Sequence, residues 1–127
     1  MKFLSKLVSQ VIILCFTSLM PNLHAQDITW LTPTEYDFGV MERYQPDSFS
    51  FVFKNTSGFD LVIDNVRTTC GCTAPRWTYE AIPADSTSTI EIVYNSKNPG
   101  YFEKKVKVFF AGIRKPEVLK VEGEVVE

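Results

Sequence analysis

The most chemically informative residues of this sequence are two cysteines separated by one glycine, Cys70-Gly71-Cys72. The third cysteine, Cys15, and the single histidine, His24, both lie within the first 25 residues. Two thiols at this spacing can close a small disulfide ring, exchange disulfides with another protein, or bind a soft metal ion such as copper or zinc. The compartment of the protein and the other side chains available near the thiols decide among these three chemistries.

The first 25 residues have the features of a signal peptide. Lys2 and Lys6 form a basic start, residues 7–20 are mostly apolar, and residues 23–25 (Leu-His-Ala) form an acceptable cleavage site. The apolar run is shorter than the roughly 20 residues that span a membrane. We therefore predict a signal peptide over residues 1–25, a mature chain from Gln26 with no transmembrane segment, and a periplasmic or extracellular location.

Export would place the cysteine pair in an oxidising compartment, where disulfides persist. We therefore expect a disulfide between Cys70 and Cys72, with Gly71 supplying the φ freedom that a small ring needs. A ring of this size is strained and easily reduced, and the loop it closes is too short to add much stability. One interpretation is that the pair only fixes a turn.

A redox role or a soft-metal site is the alternative for the same two cysteines. Arg67 and Arg76 are close in sequence and would favour a thiolate. A closed zinc site needs four ligands, whereas the predicted mature chain has no histidine and only one methionine, Met41. We therefore expect no metal and no cofactor, and in the alternative the metal ligands would be Cys70 and Cys72.

Composition argues against several classes of function. Thirteen basic and fifteen acidic residues give a net charge of −2, and a mildly acidic surface disfavours nucleic acid and anionic membranes as partners. Without a mature histidine the usual serine or cysteine triad has no base. The sequence also has no glycine-rich phosphate loop and no metalloprotease motif. These observations predict a protein that is not an enzyme.

Alternation of apolar and polar residues with a period of two dominates residues 26–127 and predicts β-strands. In residues 48–54, Phe49, Phe51 and Phe53 fall on one face. Further strands are expected near residues 28–31 and 35–40, and in segments whose inward residues are Leu61, Ile63, Ile90, Ile92, Tyr94, Val106, Val108, Phe110, Leu119, Val121 and Val125. Short strands separated by turn signals predict an all-β fold, an immunoglobulin-like antiparallel β-sandwich of about seven strands that forms one domain over residues 26–127.

A possible binding surface follows the cysteines in sequence. Arg76, Trp77 and Tyr79 are residue types that anchor protein interfaces, and they lie within seven residues of Cys72. The competing interpretation is that Trp77 packs back on the core and covers the sandwich.

Several segments resemble a known bacterial family. Residues 37–39 (Asp-Phe-Gly), 51–57, 61–73 and 100–102 (Gly-Tyr-Phe) are similar to the domain-of-unknown-function family numbered 1573, and the cysteine motif with its upstream strand is the most specific part. The resemblance covers nearly all of residues 26–127. It implies an exported domain of the Hydin and major-sperm-protein immunoglobulin-like type, and it implies no activity and no catalytic residue.

Together these features predict an exported, non-enzymatic immunoglobulin-like interaction module of the bacterial cell envelope. Its partner would be another protein or a cell-envelope component, bound through loops at one end of the sandwich. The alternative is a small thiol-redox or soft-metal protein that acts through Cys70 and Cys72.

Overall fold

The computed structural model describes residues 26–127, which form two packed four-stranded β-sheets. The strands are β1 (Ile28–Trp30), β2 (Glu35–Glu42), β3 (Asp47–Asn55), β4 (Ile63–Thr68), β5 (Thr73–Arg76), β6 (Thr87–Tyr94), β7 (Gly100–Phe110) and β8 (Glu117–Val126). The first sheet has the strand order β1-β3-β6-β5 and the second β2-β8-β7-β4. The predicted signal peptide, residues 1–25, lies outside the described residues.

The main core lies between the two sheets and contains the residues that the alternation assigned to it. In β3, Phe51 and Phe53 are fully buried, and Phe51 is opposite Ile90 of β6. In the second sheet, Val106 of β7 and Leu119 of β8 pair with each other and are also fully buried. The predicted all-β immunoglobulin-like sandwich is confirmed, with eight strands where about seven were expected.

One strand pair departs from the antiparallel pattern. Strand β2 runs parallel to β8, from Glu35 opposite Lys120 to Glu42 opposite Val126. The register shifts between Asp37 and Val40, because Gly39 adopts a φ of 69° and its N–H donates to the Asp37 side chain at 2.7 Å. Strands that are neighbours in sequence usually pair as antiparallel hairpins. Here the chain crosses from the first sheet to the second between β1 and β2, so β2 pairs with the distant strand β8 and runs parallel to it.

The additional strand, β5, lies at the edge of the first sheet. It pairs only with β6, from Thr73 opposite Tyr94 to Arg76 opposite Glu91. Pro75 lies within it, and a proline is tolerated in an edge strand because one side of that strand needs no hydrogen bonds. Alternation alone does not identify so short a strand.

A second, smaller apolar cluster closes one end of the sandwich. It contains Met41, Tyr94, Phe102 and Val125, and the rings of Tyr94 and Phe102 are stacked with centroids 3.7 Å apart. Gly123 makes this possible, because a Cβ at that position would lie 2.8 Å from the Phe102 ring. Cys72 packs against this cluster, which therefore supports the cysteine motif.

Three loops meet at this end, which we call the cysteine end: residues 43–46, 69–72 and 95–99. The Arg43 guanidinium donates to the Lys97 carbonyl at 3.0 Å, and the Asn95 N–H donates to the Cys72 carbonyl at 3.0 Å. These hydrogen bonds connect the three loops into one surface. Across residues 26–127 there is no helix of the length and hydropathy that crossing a membrane requires.

Candidate functional site

The cysteine motif forms the turn by which the chain passes from β4 in the second sheet to β5 in the first. Thr68 ends β4 and Thr73 begins β5, and their hydroxyls donate to the same acceptor, the Cys70 carbonyl, at 3.1 and 3.3 Å. Since the Cys72 carbonyl also accepts from Asn95, the backbone on each side of the turn is fixed. The turn therefore holds its shape without a covalent bridge.

Both cysteines are free, half-buried thiols in the structure, where the sequence predicted a disulfide. The Cys72 N–H donates to the Cys70 sulfur at 3.3 Å, and the Asn98 side-chain amide contacts the Cys72 sulfur at 3.7 Å. Gly71 is not among the glycines with positive φ, so this turn does not use the freedom that was expected of it. The disulfide stays a prediction for an oxidised form of the protein.

The two sulfurs have different electrostatic surroundings. Burial raises the pKa of Cys70, but hydrogen bonds from the Cys72 N–H and thiol, together with the charge of Lys104, lower it below the ordinary thiol value. The pKa of Cys72 is raised by its hydrogen bond to Cys70, by burial and by the charge on Cys70. Cys70 is therefore the sulfur that becomes a thiolate first.

Lys104 lies on the inward side of β7, between the buried residues Phe102 and Val106. Thr68 is opposite Val106 in the last pair of β4 with β7, so the turn that follows β4 lies toward Lys104, whose charge acts on the Cys70 sulfur. The sequence does not single out this lysine, because it lies among other basic residues of β7. The signal was present: the period-two pattern puts positions 102, 104 and 106 on one face.

The arginines expected to favour a thiolate have other contacts. The Arg67 guanidinium lies 5.3 Å from the centroid of the Phe109 ring, and Arg76 forms an exposed ion pair with Glu91 at 3.6 Å. Neither arginine is among the groups that shift the pKa of Cys70, so the prediction named the wrong residues as the source of the positive charge. The charge comes from Lys104 because strand pairing, not sequence distance, determines which cation faces the turn.

The predicted binding residues Arg76, Trp77 and Tyr79 lie on the flank of the sandwich, where the chain leaves β5. Trp77 is half-buried and packs against the main core, as the competing interpretation held. Tyr79 is 77% exposed, and its ring centroid lies 5.2 Å from that of Trp77. Because β5 runs away from the cysteine end, these residues do not join the cysteine turn, and their role in binding stays a prediction.

The donor set around the thiols does not fit a closed metal site. Within residues 26–127, no three side chains of the cysteine, histidine, aspartate and glutamate types come together in a way that could hold a metal ion. The positive charge that acts on both sulfurs is the ammonium group of Lys104, which repels a cation. The arrangement suits thiolate chemistry better than metal binding.

Three exposed side chains with apolar surface lie on a loop and on strand ends at the cysteine end, and the alternation pattern did not identify them as a group. We call Val40, Tyr44 and Tyr101, which are 71%, 65% and 67% exposed, the end patch. Val40 and Tyr101 flank Glu124 across β8, and Tyr44 is held on its loop by an N–H bond to the Ser96 carbonyl at 3.0 Å. Alternation marks such residues only as outward-facing and does not show that they are near one another.

Comparison with protein families gives one match that covers most of the chain. The family described as "Protein of unknown function (DUF1573)" matches residues 29–125. The chain belongs to this family. A comparison with functionally characterised proteins gives no sequence match.

Three solved structures show how widely the fold occurs. A protein of unknown function from Porphyromonas gingivalis W83 is 11% identical with a TM-score of 0.66, over 84% of this chain and 50% of its own length. An ASH/PapD-like domain of human CEP192 is 8% identical (TM-score 0.67; 86% and 92% covered), and WR4, an MSP family member from C. elegans, is 11% identical (TM-score 0.51; 80% and 99% covered). At these identities the likeness shows the fold alone, and the chain spans about half the length of the Porphyromonas protein.

Proposed function

We propose that this protein is an exported, non-enzymatic immunoglobulin-like module of the bacterial cell envelope that binds another protein through the loops at its cysteine end. The observation that carries the proposal is the end patch: Tyr44 is exposed on the loop of residues 43–46, and Val40 and Tyr101 are exposed on the adjoining strands, on either side of Glu124. Tyrosine is enriched where proteins bind each other, because its ring supplies contact area and its hydroxyl supplies a hydrogen bond.

The end patch is held in place by contacts within the protein, which lowers the entropy cost of binding. The Tyr101 hydroxyl donates to Glu122 at 2.7 Å, and the Arg43 guanidinium lies 4.7 Å from the centroid of the Tyr44 ring. Arg43 in turn pairs with Glu127 at 2.9 Å. Both tyrosines therefore have defined positions before a partner arrives.

Two further features support an interaction role. One is the fold, which is shared with a PapD-like domain and an MSP family member. The signal-peptide pattern of residues 1–25 supports export. The flank with Arg76, Trp77 and Tyr79 is a second surface for the same partner, with Arg76 and Tyr79 as its exposed members.

Site-specific photo-crosslinking in cells of the source bacterium tests the proposal. A photoreactive residue at Tyr101 should give a light-dependent covalent complex, while one at Phe59, which is also exposed but lies at the other end of the sandwich, should not. Replacing Val40 by Ser should weaken the Tyr101 complex without unfolding the domain. Equal crosslinking at Tyr101 and Phe59, or none at either position, would contradict the proposal.

A further inference from the structure

None of the three end-patch residues belongs to the cysteine turn, so the chemistry of this turn is not explained by the proposed binding of a partner. It brings together two free thiols, one N–H bond to the Cys70 sulfur, one amide contact to the Cys72 sulfur, and the inward Lys104. We propose that Cys70 and Cys72 form a dithiol–disulfide couple whose disulfide form oxidises paired thiols of another exported protein.

The structure favours the reduced state of this couple. The Cys72 N–H donates to the Cys70 sulfur at 3.3 Å, and the charge of Lys104 acts on the same sulfur. These contacts stabilise a thiolate, which exists only after reduction. A couple whose reduced form is stabilised is a strong oxidant, since its disulfide is the less stable state.

The oxidised state is correspondingly disfavoured. A bridge between Cys70 and Cys72 closes a ring that contains only one intervening residue, and strained bridges have high reduction potentials. The threonine hydroxyls on the Cys70 carbonyl hold the turn in the shape that the free thiols use. The free-thiol form of the turn therefore needs no bridge to keep its shape.

The reaction takes place in two displacement steps. A thiolate of the substrate attacks the Cys72 sulfur, the bond between Cys70 and Cys72 breaks, and Cys70 leaves as the stabilised thiolate. The second substrate thiol loses its proton and attacks the substrate sulfur in this mixed disulfide, so that a substrate disulfide forms and Cys72 leaves and takes up a proton. Two electrons pass from the substrate dithiol to the couple, and the other thiol proton goes to solvent.

The roles of the two sulfurs follow from their surroundings. The better leaving group in disulfide exchange is the sulfur with the more stable thiolate, which here is Cys70. Both cysteines are half-buried and not fully buried, so part of the Cys72 side chain is accessible to an incoming thiolate. An excess of glutathione disulfide can regenerate the oxidised couple, and each glutathione disulfide consumed is reduced to two glutathione thiols.

Equilibration of the folded protein in glutathione buffers tests the proposal, with alkylation and intact-mass analysis as the readout. We expect more than half of the Cys70–Cys72 couple to be dithiol in a buffer that leaves a structural disulfide of a secreted control protein fully oxidised. The oxidised protein should then transfer its disulfide, one for one, to a reduced peptide with two cysteines.

Lysine variants separate this proposal from a merely structural turn. Lys104→Met should shift the glutathione equilibrium about threefold toward the disulfide, because the thiolate loses its neighbouring charge. Lys104→Arg keeps the positive charge and should therefore give the same equilibrium as the unchanged protein. Lys105→Met, on the outward side of the same strand, should also leave the equilibrium unchanged. Circular dichroism confirms that each variant is folded before the equilibrium is compared.

Three results would overturn the proposal. They are a couple that stays as oxidised as the structural control, a peptide that remains reduced after mixing, and equal shifts of the glutathione equilibrium in Lys104→Met and Lys105→Met. None of these results bears on the end patch, so failure of this proposal and failure of the proposed binding function are distinguishable.

Discussion

Phe51 is fully buried in β3, opposite Ile90, and its ring meets that of Phe49 edge to face with centroids 4.9 Å apart. Phe51→Ala should lower the free energy of unfolding by about 3 to 5 kcal/mol, because burial is lost and a cavity remains. Denaturant titration measures this change. Phe59→Ala is the control, since Phe59 is exposed and its replacement should change the midpoint little. Similar midpoints for the two variants would mean that the inward face of β3 is wrongly assigned.

Contacts with neighbouring glutamates change the pKa of Tyr101, although its side chain is exposed. Its hydrogen bond to Glu122, followed by desolvation and the charges of Glu122 and Glu103, raises the pKa of Tyr101 to about 12. The pKa in the unfolded chain is about 10. A pKa that is raised in the folded state contributes stability at lower pH, and this contribution is lost as the pH rises from about 10 to about 12.

Absorbance titration of the tyrosinate tests this shift, with Tyr101→Phe subtracted to isolate the one residue. Glu122→Gln should bring the Tyr101 transition down toward the ordinary value. Glu124→Gln is the matched control, because Glu124 lies on the same strand and does not contact the Tyr101 hydroxyl. A Tyr101 transition that does not respond to Glu122→Gln would show that the hydrogen bond is not maintained in solution.

Single residues also show what sequence reasoning can and cannot find. Phe51, Phe53 and Val106 were identified correctly, because burial on one face of a strand leaves a period of two in the sequence. Lys104 has the same period, but a lysine in a strand does not indicate an inward position, so its place near the cysteines was missed. The state of Cys70 and Cys72 depends on the redox environment as well as on the sequence, and spacing alone does not determine it.

Among the elements, the close packing of β8 against Phe102 and β2 requires a glycine at position 123. Gly123 faces inward between Val121 and Val125, and a Cβ there would lie 2.8 Å from the Phe102 ring and 3.0 Å from the Gly39 carbonyl. Gly123→Ala should therefore destabilise the domain by about 1 to 3 kcal/mol, because the Phe102 ring and the backbone of β2 must shift. Thermal or chemical unfolding measures the effect.

Gly71→Ala is the control for this substitution. Gly71 has no positive φ, and nothing lies within 4 Å of the position that its Cβ would take. The reduced protein should therefore tolerate the change with little loss of stability. A Gly123→Ala variant as stable as Gly71→Ala would contradict the packing of Phe102 over β8.

The pairing of elements was harder to predict than their existence. Strands near residues 28–31 and 35–40 were predicted and are present as β1 and β2. The parallel pairing of β2 with β8 was not predicted, because strand patterns carry no information about which distant strand is the neighbour. Strand β5 was missed because four residues are too few for alternation to be recognised.

For the whole molecule, the cysteine turn should matter little for stability. The turn is held by hydrogen bonds from Thr68, Thr73 and Asn95, and it lies outside the main core. Replacing Cys70 and Cys72 together by Ser should shift the melting temperature by about 4 °C or less, which corresponds to under about 1 kcal/mol. Scanning calorimetry of the reduced proteins provides the measurement.

The same double variant separates the two functions at the level of the whole protein. Crosslinking through Tyr101 should persist in it, because the end patch needs the fold and not the thiols. Disulfide transfer to the cysteine peptide should disappear. If the double variant unfolds, the cysteine turn has a structural role that the hydrogen bonds of the free-thiol form do not explain.

The position of β8 has a consequence for the way in which the molecule is made. Although β8 comes last in the order of strands, it lies in the interior of the second sheet, between β2 and β7. While residues 117–126 are still being synthesised, β2 has no neighbour in its sheet, and long-range pairings of this kind form late. The second sheet can therefore be completed only after the ribosome has added β8, and an incompletely folded chain is the form that can be threaded through a narrow secretion channel.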